Sequence, residues 1–325
     1  MPGIVGSLLD PLIGIAGDTH RRRAVLVAGG FAFAVSAALT AGAVGFGTLL
    51  VALVIGYPAS GAFVSLAQAT LMDASPEERA RSMARWTVAG SVGYVAGPIL
   101  VAAAVVAGIG WRGLMLLLAL PAIPLALAVR PAPPDVSKPN WRGFLRALRS
   151  RAVLRWLAIL EAADLLLDVF HAFLALYVVD VAGARPIAAA CAVAVWTGGG
   201  LAGDILLLPL LERVDGMAYL RTSAALSLVA YPAFLLVPSL DAKFVLLAVL
   251  GLLGSGWYAL PKAALYDALP GRSGTAVAVS GIGGLAGASV PALLGALAGA
   301  AGLGATMWLL LLAPVVLLVG IPSRR

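Results

Sequence analysis

Charge is what this sequence has least of. Only 11% of its 325 residues are Asp, Glu, Lys or Arg, while 62% are hydrophobic and the mean hydropathy is +1.02. Soluble domains carry about 25% charged residues, and a surface this apolar would not stay in water. That excludes a soluble enzyme or a soluble binding module. Cysteine is almost missing as well. Cys191 stands alone, which rules out an intrachain disulfide and a thiolate metal cluster; it sits in an apolar run and reads as a small packing residue. There is no H-E-x-x-H, no phosphate-binding P-loop and no G-x-S-x-G, so no common catalytic signature is present and no cofactor or metal is implied. No short hydrophobic stretch with a cleavage site precedes the body of the chain, and no cleaved leader is expected.

What is there is a succession of apolar runs separated by short polar breaks. Crossing the hydrocarbon takes about 20 helical residues. The pattern predicts helices near 4–17, 24–43, 47–71, 86–108, 111–129, 153–178, 187–210, 218–238, 243–266, 274–298 and 303–321, the first of them short. The expected fold class is an all-α integral membrane protein with about eleven transmembrane helices. A net charge of +7 would suggest a nucleic-acid partner in a soluble protein. Here the placement of the charges accounts for it, and no nucleic acid is expected. With the first loop in the cytoplasm, 18 of the 22 Lys and Arg fall on the cytoplasmic side. Only Arg112, Arg185 and Lys243 fall outside, and Lys262 lies within a helix. This is a strong positive-inside bias. It threads the chain through the cell (plasma or inner) membrane with the C-terminus cytoplasmic and the N-terminus outside, surrounded by lipid and expected to be a monomer.

The one long cytoplasmic connection, 130–152, divides the chain into a five-helix bundle over 1–129 and a six-helix bundle over 153–325. Its first part, RPAPPDVSKPN, is Pro-rich and expected to be extended. Its second part places Trp141, Phe144, Leu145 and Leu148 on one face and Arg142, Arg146 and Arg149 on the other, which reads as a short helix lying on the inner membrane surface.

The two bundles read as copies. Leu71–Arg79 is LMDASPEER and Leu265–Arg272 is LYDALPGR, so both follow L-x-D-A-x-P and then Arg. Each copy is followed by a proline in a Gly-rich helix, Pro98 or Pro291. A fainter echo pairs Leu9–Ile13 (LDPLI) with Leu207–Leu211 (LLPLL). Two parallel repeats joined by a cytoplasmic linker match the architecture of a large class of transporters.

Within the second copy, Glu161, Asp164, Asp168 and His171 fall at i, i+3, i+7 and i+10 of an apolar helix. At about 100° per residue they share a stripe roughly 80° wide. Each ionised carboxylate at the centre of a lipid-facing helix costs roughly 2.5–3.5 kcal/mol. The four are therefore expected to face protein or a water-filled path, carrying protons or contacting a polar or cationic substrate. The plainer alternative is a structural hydrogen-bonded cluster whose ends reach the two interfaces. Asp10, in the short first helix, and Asp204, after the Gly198-Gly199-Gly200 run, are further candidates for the same pathway. Lys262 is either the counter-charge of the ladder or a side chain that snorkels to the interface. Trp257 and Tyr258, beside Gly254 and Gly256, could line a substrate pocket, although aromatics at such spacing more often serve packing; Gln68 is open to either reading.

The loop Gly14-Ile-Ala-Gly-Asp18-Thr-His-Arg-Arg22-Arg23 resembles the signature between the second and third helices of the major facilitator superfamily. Gly14, Asp18, Arg22 and Arg23 match that pattern; Thr19 stands where a basic residue is usual and Arg21 where glycine is usual. The resemblance implies a gating loop that holds the bundles closed on the cytoplasmic face, with Gly14 permitting close helix approach. Gly93, Gly97 and Pro98 resemble the superfamily's fifth-helix packing motif, which is associated with exporters, although Val101 and Ala102 replace its trailing glycines and no fourth-helix arginine is present. Members have twelve helices, with this loop after the second. Here it follows the first, so the superfamily's first helix is expected to be missing from the chain. The implied function is secondary transport of a small molecule by alternating access. Proton-coupled export of a drug-like compound or metabolite is the leading form, with proton-coupled import of a nutrient as the alternative. From another class, an intramembrane metal-dependent enzyme could use Glu161, Asp164, Asp168 and His171, but these span about 15 Å of helix, more a path than a coordination sphere.

Overall fold

The computed structural model describes residues 2–129 and 140–322, and every regular element among them is helical. In chain order these are α1 (Pro2–Gly17), α2 (Arg22–Ala41), α3 (Phe46–Ala74), α4 (Arg79–Val106), α5 (Gly110–Ala128) and α6 (Trp141–Ala147), followed by α7 (Arg151–Val181), α8 (Pro186–Leu210), α9 (Gly216–Leu236), α10 (Leu240–Asp267), α11 (Ser273–Ala301) and α12 (Leu303–Gly320). Ten of them are long and apolar enough to cross a membrane; α1, at 16 residues, and α6 are not. Several helices run beyond their apolar cores. α4 begins at Arg79, not near residue 86, because Arg79, Arg81 and Arg85 continue a helix that hydrophobicity alone would end. Apolarity marks the lipid-facing stretch and not the helix end. Side-chain caps fix other starts: Asp215 accepts from the Ala218 N–H at 2.9 Å, and Asn140 from the Gly143 N–H at 2.7 Å.

The Pro-rich stretch expected to be extended falls on 130–139, outside the described residues. The helix after it, α6, ends at Ala147. Of its apolar residues, Phe144 is buried, and Trp141 and Leu145 are exposed.

The described residues group into two compact units, each drawing on both halves of the sequence. The first comprises Met1–Arg79, Ala96–Leu154 and Leu265–Ala288. In it α1 lies along the first half of α11, and the contact is made of glycine. A Cβ added to Gly14 would overlap the Gly274 carbonyl, and one added to Gly281 would overlap Asp10. α2 packs on α3 and α5 in the same way, with Gly29 against Ala62 and Gly30 against Ala126. Small residues let backbones approach, which is how helices gain packing energy where lipid supplies no hydrophobic drive.

The second unit comprises Ala80–Val95, Arg155–Ala264 and Ser289–Arg325. α8 and α10 close on a glycine seam in which Gly199 faces Ala248, Gly203 faces Leu252, and Gly251 faces the Trp196 carbonyl. An aromatic core centres on Phe170, edge-on to Trp196, Tyr231 and Phe234 at 4.9, 5.5 and 5.6 Å between ring centroids. Lys243, expected in an outer loop, is instead 4% exposed within α10. Because α10 begins at Leu240, the lysine folds back over the end of α9. Its Nζ donates to the Phe234 carbonyl at 2.5 Å and to the Tyr177 hydroxyl at 3.2 Å. It neutralises the carbonyls that a helix end leaves without partners.

Two π-helical turns interrupt α7, at Leu165–Val169 and Tyr177–Val181. A π turn holds one residue more than an α turn, so positions beyond it rotate away from a continuous α-helical stripe.

Candidate functional site

A cavity of about 180 Å³ opens within the second unit. α4 lends it Thr87, Ser91 and Tyr94; α7 lends Asp168 and His171; α8 lends Trp196, Thr197 and Asp204; and α10 lends Ser255, Gly256 and Tyr258. None of the residues lining it is Arg or Lys. His171 stands beside Asp168, and its ring meets Tyr94 edge-to-face at 5.5 Å. Asp204 is buried, accepts a 2.5 Å hydrogen bond from Ser91 and takes another from the Gly256 N–H.

The Gly256 N–H is available because α10 breaks there. Gly256 has φ +77°, a left-handed conformation that side-chain-bearing residues rarely adopt, and it sits against Leu207, Tyr219 and Leu260. Two further bonds hold the break: Tyr219 and Ser255 share a 2.6 Å hydroxyl contact, and the Trp257 indole donates to Ser223 at 2.9 Å. Interrupted helices of this kind expose backbone groups only where protein or a water-filled cavity can receive them.

Only part of the acidic ladder lines this cavity. Asp168 and His171 reach it; Glu161 and Asp164 are not among its lining residues and are half-buried, with the charge of Lys262 acting on both. Asp164 remains close enough to Asp168 to feel its charge, so the two parts adjoin. Lys262 is buried, with its Nζ 5.9 Å from the Tyr258 ring centre.

A second polar cluster lies in the first unit, around the Gly14–Arg23 loop. Asp18 accepts from the Gly274 N–H at 2.6 Å, the Thr275 N–H at 2.8 Å and the Thr275 hydroxyl at 2.6 Å, so it caps the start of α11. Burial pushes the Asp18 carboxyl above its ordinary range, against the downward pull of Thr275, Gly274 and Arg22. Arg22 is 4% exposed; it donates to Asp73 at 2.5 Å, to Ser273 at 2.7 Å and to the Gly17 carbonyl at 2.5 Å, and lies 3.6 Å from Asp18. The two repeated aspartates each reach residues of the opposite copy. Asp73 accepts from Ser273 at 2.5 Å, and Asp267 from Arg79 at 2.7 Å.

Five expected site residues fall elsewhere. Arg23 is exposed and stands outside the Arg22 network. Nothing lies within 4 Å of a Cβ built on Gly93 or Gly97, and Pro98 is exposed, so this stretch is not a packing seam; the close approaches are made by Gly14, Gly281, Gly199 and Gly203. Asp10 lines a different cavity, in the first unit, with Ser7, Tyr57, Gly61 and Ser65. Among the described residues no three His, Cys, Asp or Glu side chains gather closely enough for a metal ion, so the metal-enzyme reading has no support.

The Gly14–Arg23 loop, the paired repeats and the all-helical architecture converge with a direct match. The family model described as the Major Facilitator Superfamily matches residues 1–290. The chain belongs to the major facilitator superfamily. It is a multi-pass membrane protein with a transporter fold. No curated protein matches it. Among solved structures, a substituted form of the Escherichia coli fucose:proton symporter FucP is similar at TM-score 0.82 and 15% identity, covering 98% of this chain and 88% of the symporter. The human organic anion transporter MFSD10 is similar at TM-score 0.78 and 21% identity, covering 99% and 82%. A bacterial homologue of the iron transporter ferroportin, in an outward-facing state, is similar at TM-score 0.71 and 19% identity, covering 98% and 87%. At these identities the likeness is one of fold. As a major facilitator member, the chain places several site residues where its sequence carries no signal. Ser91, Tyr94 and Ser255 are isolated polar groups in Gly- and Ala-rich helices, and Asp73, legible only as a repeat marker, is a ligand of Arg22.

Proposed function

We propose that the protein is a secondary transporter working by alternating access, with its substrate and proton site in the cavity that Asp168 and Asp204 share. The observation that carries this reading is the convergence of two carboxylates, a histidine and two tyrosines on one cavity with no Arg or Lys among its described lining residues. A cavity of that composition favours a cation or a hydroxylated molecule over an anion. Asp168 and His171 are the proton-carrying pair. Glu161, Asp164 and Lys262 form the adjoining relay, and Asp10 belongs to the path through its own cavity. The bundles 1–129 and 153–325 are the rocking halves, and the Asp18–Arg22–Asp73 cluster is the latch released in each cycle. The charge bias supports a cell-membrane location with the C-terminus in the cytoplasm, and the protein acts as a monomer.

Export of a drug-like cation or metabolite in exchange for protons is the leading form; the Gly93–Pro98 resemblance that suggests it is one of sequence alone, since neither Gly93 nor Gly97 has a close packing partner. Import of a hydroxylated nutrient together with protons is the second. It is favoured by the hydroxyl-rich lining of Thr87, Ser91, Tyr94 and Thr197 and by the likeness to a fucose:proton symporter.

Proteoliposomes containing a pH-sensitive dye test the proposal against a panel of organic cations, sugars and metabolites. A compound that triggers proton flux in the wild type and none in Asp168→Asn establishes coupling through this cavity, and the sign of the flux gives the direction. Equal flux in both proteins would remove Asp168 from the mechanism.

A further inference from the structure

Arg155 and Arg221 line one groove in the second unit, walled on its other side by Leu318, Val319, Ile321 and Pro322 at the end of α12. The groove has a volume of about 610 Å³ and shares no lining residue with the cavity at Asp168 and Asp204. Arg155 lies four residues past the start of α7 and Arg221 five past the start of α9. At ~1.5 Å per residue that places them about 6–8 Å along their helices, in the first turns of each.

No Asp or Glu lines the groove, and neither arginine has an ion pair among the described residues. The Arg221 guanidinium donates to the Pro322 carbonyl, which holds the group at the groove wall. Two cations facing one partly apolar space repel each other unless an anion sits between them. Phosphate meets that need, because a guanidinium presents paired N–H donors that match its oxygens. Val319, 83% exposed, and the half-buried Leu318 supply apolar surface beside the charged end, which a free ion would not use and an acyl chain would.

We infer that the groove between Arg155, Arg221 and the end of α12 binds an anionic phosphate group, that of an acidic phospholipid headgroup. The site is independent of the transported substrate and of the direction of transport.

The test uses the full chain in detergent, titrated with fluorescent short-chain phosphatidylglycerol and, separately, phosphatidylcholine, with inorganic phosphate as competitor. Phosphatidylglycerol should bind at least about tenfold more tightly than phosphatidylcholine. An Arg155→Gln/Arg221→Gln double variant should abolish that preference, and Arg142→Gln/Arg146→Gln on α6 should leave it intact. Should the double Gln variant fail to fold, Arg155→Lys/Arg221→Lys keeps the charge and is expected to lose affinity through loss of the paired donors. Displacement by millimolar inorganic phosphate would identify a free-phosphate site in place of a lipid site and overturn the lipid assignment. Equal binding of the two lipids, or equal losses in the α6 control, would overturn the site altogether.

Discussion

Arg22 shows how one side chain can hold several segments. Buried at the turn between α1 and α2, it joins the Gly17 carbonyl, Asp73 and Ser273, with Asp18 at 3.6 Å. A buried ion pair is weak evidence of net stability, but removing one partner leaves the other charge uncompensated at a cost of roughly 3–5 kcal/mol. Arg22→Met should therefore destabilise the protein by about that much in a reversible SDS titration, whereas Arg23→Met, at an exposed position, should move the midpoint little. Similar stability in the two variants would mean that the Arg22 contacts carry no energy. Lys243 gives a second case at this scale. It supplies donors to the end of α9, and Lys243→Met would leave the Phe234 carbonyl without one, a loss of about 1–3 kcal/mol. The methionine keeps most of the aliphatic packing against Tyr177 and Phe234, so the same titration reads mainly the lost polar contacts.

Among the elements, glycine decides which helices touch. Gly14 meets the α11 backbone so closely that any side chain there collides with Gly274 and Ala278, while Gly93 on α4 meets nothing. Gly14→Val should thus lower thermal stability in detergent by several degrees and weaken the Asp18 cap on α11, and Gly93→Val should be tolerated; the reverse order would contradict the packing described. From sequence alone Gly14 and Gly93 look alike, since small-xxx-small spacing says that close packing is possible but not where a partner lies. The helices themselves were legible because a 20-residue apolar run has few other uses, and the paired L-x-D-A-x-P segments were legible because polar residues are rare enough to stand out. That only Asp168 and His171 of the acidic ladder line the cavity was hidden. A helical wheel assumes about 100° for every residue, and nothing in LLLDV announces a π turn. The break at Gly256 was hidden for a related reason: Gly-Ser-Gly within an apolar run reads as packing until Asp204 is found to accept its N–H.

At the scale of the whole molecule, the repeats matter because their aspartates are engaged crosswise. Asp267 of the second copy is held by Arg79 of the first, and Asp73 of the first by Ser273 of the second. Under the proposed alternating access, crosswise contacts of this kind would have to open in each cycle. The single natural cysteine, Cys191, lies apart on α8 and is easily replaced. In a Cys191→Ser background, Asp73→Cys paired with Ser273→Cys puts two thiols at positions whose side chains now meet, carboxylate oxygen to hydroxyl, at 2.5 Å, and formation of the cross-link is checked by mass before transport is assayed. Oxidation should stop transport of whatever substrate the proteoliposome panel identifies, and reduction should restore it to the level of the unoxidised double variant. Either single-cysteine variant should be insensitive to oxidant. If the oxidised, cross-linked protein transports at the unoxidised rate, these crosswise contacts do not open during the cycle and the latch lies elsewhere. Loss of transport without cross-linking, seen equally in the single variants, would trace the defect to the lost Asp73–Arg22 pair and not to a locked conformation.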